Sequence, residues 1–112
     1  MLAKLGERTY HVTWRYAKNF GEDNCHTSCL ISEVSEDGTR FLIVQGNAEC
    51  SIKDQFNKNT GRKLSLSRAL LTQVPTVFEP TSINPQKWEP VFSRAERILF
   101  WEGYFKMRGK RE

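Results

Sequence analysis

Tyr10, Val12, Trp14 and Tyr16 alternate with His11, Thr13 and Arg15. That period of two predicts a strand with one aromatic face buried. Asn19 to Asn24 reads as a polar loop, and a second strand is expected from about Thr27 to Val34. Asp37-Gly38 is a turn pair that closes a hairpin. The returning strand, Thr39 to Val44, is apolar without alternation, which predicts a central strand covered on both faces. Gly46 marks a bulge or bend before a short continuation through Ala48, Cys50 and Ile52. Beyond Ile52 the period lengthens. Asn59-Thr60-Gly61 reads as a turn and helix start, and Arg62 to Thr72 as a helix. Leu66, Ala69 and Leu70 fall on one side of it, Leu64 and Leu71 on another.

Pro75, Pro80, Pro85 and Pro90 recur at five-residue spacing. Such spacing forbids a regular helix and discourages a central strand. Val77, Phe78, Ile83 and Trp88 lie between the prolines, so the segment is expected to wrap over the domain as an ordered, irregular strap. Ser93 and Glu96 fit a capping box, with Phe92 placed to pack just before it. The last helix is expected from Arg94 to about Arg108, ending at Gly109. The whole reads as one α+β domain. A small antiparallel sheet of three or four strands (about residues 8–52) is packed by a central helix (about 62–72) and a C-terminal helix (about 94–108), with the strap (73–92) between them.

Composition narrows the class. The 112 residues are 38% hydrophobic and 27% charged, close to globular averages. The longest apolar runs, Phe41 to Val44 and Ile98 to Trp101, are too short to cross a bilayer. Met1 to Gly6 has no signal-like apolar region, so a soluble cytoplasmic protein is expected, with no membrane partner. Three cysteines (Cys25, Cys29, Cys50) without an export signal are expected as reduced thiols. The net charge of +4 is segregated. Residues 19–39 carry five acids and no base, residues 53–68 five bases against Asp54 alone, and the tail from Arg94 six bases and three acids. Blocks of this kind bear on partners rather than on fold.

The C-terminal helix carries the first candidate site. At 100° per residue, Ala95, Ile98, Trp101 and Phe105 form one stripe. Phe100, Tyr104 and Met107 form a second on nearly the opposite side, with Leu99 at a flank. One stripe suffices to dock the helix on its sheet. The second, Phe100, Tyr104 and Met107 with Leu99, is the expected protein interface, to be covered by the strap, a second copy in a homodimer, or another protein. The second candidate is the basic set Lys53, Lys58, Arg62, Lys63 and Arg68, for an anion or nucleic acid. Arg62-Lys63 after Gly61 lacks the upstream glycine of a phosphate loop. Two cations in a first helical turn would still suit a docked anion, such as a nucleotide. Pairing of Arg62 with Asp54 is the competing reading. Cys25, His26, Cys29 and Cys50 have irregular spacing for zinc, and no metal or cofactor is expected. His11 sits on the polar face of its strand, Cys25-His26 lies among acids that raise a thiol pKa, and the Glu22-Asp23 and Glu36-Asp37 pairs sit in turns. No catalytic constellation forms, and the chain is expected not to be an enzyme.

The stretch Cys50-Ser51-Ile52-Lys53-Asp54-Gln55-Phe56-Asn57-Lys58-Asn59-Thr60-Gly61-Arg62-Lys63, followed by Arg68-Ala69-Leu70, resembles a pattern in short accessory proteins of tailed bacteriophages. There a cysteine-bearing strand leads through an Asp-x-Phe turn into Gly-Arg-Lys and a helix with Arg-Ala-Leu. The preceding hairpin, with Trp14 and the Asp37-Gly38 turn, is similar too, and the likeness covers residues 10 to 71. It conveys no catalytic residues. It implies a protein that binds and inhibits a host macromolecule, in host takeover or anti-defence, within the host cytoplasm. A host protein is the expected partner, and nucleic acid held by the basic region and tail is the alternative.

Overall fold

The computed structural model describes residues 1–18, 24–51, 58–78 and 85–109. Four antiparallel strands run in sequence order across one sheet: β1 (Leu2–Leu5), β2 (Arg8–Lys18), β3 (Asn24–Val34) and β4 (Arg40–Ser51). Two helices, α1 (Lys58–Leu70) and α2 (Arg94–Gly109), pack on one side of it, α1 over β3 and β4 and α2 against β1. Between the helices lies a separate two-stranded ribbon of β5 (Gln73–Phe78) and β6 (Pro85–Pro90). The α+β class is as expected. β1 was not anticipated, because four residues are too few to show a period; Ala3 and Leu5 turn inward and Leu2 and Lys4 outward.

The core lies between the sheet and both helices. Tyr10, Val12, Cys29, Ile31 and Val44 meet Leu66, Ala69 and Leu70 of α1 and Phe100 and Tyr104 of α2, with Phe92 between. The alternation in β2 therefore marks the covered face as predicted. At the β3–β4 turn, Asp37 accepts hydrogen bonds from Thr39 N (2.9 Å) and from the Ser35 hydroxyl, while Gly38 takes a positive φ of 87°. The Ser93 hydroxyl accepts from Glu96 N (3.2 Å) and Ser93 N donates to the Glu96 carboxylate (2.8 Å), so the capping box at α2 forms.

α1 begins four residues earlier than its sequence suggests, and two glycines stand where the helix meets the sheet most closely. A Cβ on Gly61 would lie 2.6 Å from Thr27 Oγ1, and one on Gly46 would lie 2.0 Å from the Ser65 carbonyl oxygen. Gly61 thus acts as a packing residue inside the helix, not as a turn before it. Gly46 is likewise the seat of α1 on β4. The bulge expected near it occurs at Ile43, which the register leaves over between Ile31↔Val44 and Ser32↔Leu42.

Two expectations are corrected. β4 is an edge strand, not a central one, and Phe41 and Leu42 are 58% and 55% exposed. Among the described residues no fifth strand pairs with its outer side. The open side is obstructed instead, by the bulge and by Arg68 of α1, whose guanidinium donates to the Asn47 carbonyl (2.5 Å). Secondly, the described part of the proline segment is not irregular but pairs as two antiparallel strands. β5 and β6 pair chiefly with each other. A two-stranded ribbon is all edge, so Pro75, Pro85 and Pro90 can sit where no ladder donor is needed. The radius of gyration, 16.4 Å, exceeds the roughly 13 Å of a compact chain this long. Pro80 and Ile83 lie outside the described residues.

Candidate docking surface and cation–aromatic seam

α2 has two apolar faces, as its sequence implies, but the wrong one was assigned to the surface. Phe100 and Tyr104 are buried to 0% and 1% exposure, so they are core residues and not an interface. Their seat is aromatic. Phe100 lies 4.9 Å from Phe92 and 5.6 Å from Tyr10, and Tyr104 lies 5.8 Å from Trp14, ring centre to ring centre. Tyr10 and Trp14 project from the covered face of β2, and Phe92 leads into α2, so this aromatic pocket fits the face of the helix that carries Phe100 and Tyr104. Met107 is half-buried against the same core. Leu99 remains on the surface as expected, joined there by Ile98 and Phe105, at 45%, 49% and 52% exposure.

Trp101 and Phe105 turn toward α1. Their rings stack at 6.0 Å, and Lys63 Nζ sits 5.7 Å from the Phe105 ring centre. One residue earlier, the Arg62 guanidinium lies 5.9 Å from the Trp14 ring and 5.7 Å from that of Tyr16, and donates to the Tyr16 hydroxyl. Trp14 Nε1 donates in return to the Arg62 carbonyl (3.3 Å). The result is a seam of half-exposed aromatic rings and two cations running between the helices. A ring quadrupole orients a cation without neutralising it, so both charges still act on an approaching partner.

The predicted anion set does not assemble. Lys53 lies outside the described residues, as does Asp54, and only the backbone of Lys58 is described. Because α1 starts at Lys58, Arg62 and Lys63 stand in its second turn and cannot close an anion site at the helix start. Arg68 projects from a different side of the helix and is bound to Asn47. Tyr16 and Phe105 were missed as surface residues, and Trp14 and Trp101 as their partly buried neighbours. Eleven residues of β2 outrun the helices above them, and this was the available signal for an uncovered Tyr16.

Burial pushes the Cys29 thiol up to about 12, which leaves it protonated and inert at neutral pH. Cys25 and Cys50 are backbone register partners across β3 and β4. His11 is held below the usual imidazole range by burial, then by Arg40 and the amino terminus. Among the described residues, no group of three or more His, Cys, Asp and Glu could hold a metal ion. No described helix is long and apolar enough to cross a membrane. Comparison with protein-family models, curated proteins and solved structures gives no match.

Proposed function

We propose that the chain is a non-enzymatic binding module that docks on another protein through the outer face of α2. The observation that carries this reading is the row Ile98, Leu99 and Phe105, about half exposed on a helix whose opposite face already fills the core. Exposed apolar side chains beside aromatics and a basic rim are the makings of an interface centre. Arg62 and Lys63 at the rim suit an acidic partner surface. The resemblance of residues 10–71 to phage accessory proteins directs the reading to a host protein, with inhibition as the result. The test is recovery of bacterial proteins on immobilised wild-type chain and on an Ile98→Asp/Phe105→Asp variant of matched stability. A partner held by the first and released by the second is expected. Equal recovery by both would discard this surface.

A second reading has its own support. Cations held over half-exposed rings also suit single-stranded nucleic acid, whose bases stack while its phosphates meet the charges. Retardation of a labelled oligonucleotide that weakens steeply with salt, and less steeply in Lys63→Ala, would favour it.

A further inference from the structure

We propose that the uncovered face of the four-stranded sheet binds a small molecule with an anionic group at each end, gripped between Arg15 and Arg40. Because α1 and α2 share one side, every second residue of β2, β3 and β4 faces away from them. The register sets those residues in rows: His11, Ser32 and Leu42, then Thr13, Leu30 and Gln45, then Arg15, Ser28 and Asn47. The first two rows, with Arg15 and Arg40, line a concavity of about 620 Å³, within the size of known small-molecule sites.

The lining has one sign of charge. Arg15 and Arg40 both contribute, and no Asp or Glu does. Arg15 has no hydrogen-bond or ion-pair partner among the described residues. Arg40 Nη1 stands 3.3 Å from His11 Nδ1. A guanidinium can only donate, so Nδ1 is the acceptor and the His11 ring is neutral, with its proton on Nε2. Arg40 is thereby oriented but not neutralised. In the register Arg40 stands opposite Val34, which pairs with Thr9, six residues along β2 from Arg15. The two side chains therefore enter from ends about 20 Å apart at the backbone, over a floor of Leu30 and Leu42. Each planar fork suits a carboxylate or a phosphate. A ligand with two such ends and a body between them satisfies both forks, whereas a monoanion satisfies one.

Suberate and fructose 1,6-bisphosphate supply two anionic ends as carboxylates and as phosphates; octanoate and inorganic phosphate are their single-ended counterparts. Calorimetry on the full chain is expected to show one of the two-ended probes binding about tenfold or more tighter than its counterpart, and whichever it is names the ligand's acid group. Arg15→Gln and Arg40→Gln, both at exposed positions, should each remove that advantage while leaving the melting temperature within a few degrees. Proton NMR should show the His11 pKa rising on binding. The charges now bearing on that ring are Arg40 and the amino terminus, and an added anion opposes both. Failure of both two-ended probes to bind at millimolar concentration would overturn the proposal. So would equal affinity for single-ended probes, or unchanged affinity in either variant.

Discussion

Replacing Gly46 with alanine adds one methyl group where α1 touches the sheet. That Cβ would lie 2.0 Å from the Ser65 carbonyl oxygen and 2.3 Å from Ala69 N, both backbone atoms of the helix. Neither can rotate away, as a side-chain end could. Restoring an ordinary contact requires α1 to withdraw by about 1.4 Å, and a gap near 1 Å already forfeits a quarter to a half of each dispersion contact. Leu66, Ala69 and Leu70, all buried in this contact, would loosen together. Overpacking costs about 1–3 kcal/mol, and displacement of a whole helix belongs at the upper end. At about 4 °C per kcal/mol, Gly46→Ala should melt about 12 °C below wild type. Gly38→Ala is the control. Its Cβ meets nothing within 4 Å, and only its φ of 87° penalises the side chain, by about 1 kcal/mol. Thermal and urea unfolding followed by circular dichroism would measure both. If Gly46→Ala costs no more than Gly38→Ala, the close seating of α1 is wrong.

Phe100→Ala should destabilise the chain by about 3–5 kcal/mol and Phe105→Ala by under about 1 kcal/mol; urea unfolding would separate them, and similar losses would contradict the assignment of faces on α2. Hydrogen bonds from Ser35 and Thr39 hold Asp37 near a pKa of about 2, below its usual value of 3.8. Its contribution is therefore complete above about pH 4 and lost as the pH falls toward 2, and Asp37→Asn should flatten acid unfolding across that window. Cys29 should resist a thiol reagent in the native state and react readily in urea, as read by peptide mapping; rapid native labelling would mean that the core opens there.

Short-range chemistry was legible in the sequence. The period of two in β2, the Asp37-Gly38 turn and the Ser93–Glu96 box each act through a few neighbouring residues, and each is found. What sequence did not reveal were choices made elsewhere in the chain. The two stripes of α2 are similarly apolar, and the selection of Phe100 and Tyr104 depends on a pocket built by Tyr10, Trp14 and Phe92. An apolar run such as Phe41 to Val44 reads as central until one knows that no described strand pairs with the far side of β4. Prolines count against a strand only where both sides are paired, and in β5 and β6 one side is free. The seam at Arg62 and Lys63 joins residues some forty positions distant in the chain, beyond the reach of any local pattern.

The two obstructions on β4 differ in when they come into being. The extra residue at Ile43 is local and forms with the β3–β4 pairing itself. Arg68 reaches the Asn47 carbonyl only after α1 has settled. During synthesis or refolding, a chain with its hairpin formed and its helix still adrift offers neighbours a long, greasy, half-guarded rim on which to stack. Resistance to clumping is thus acquired at a late step of folding, and variants that slow the seating of α1 should precipitate while the finished molecule stays clear.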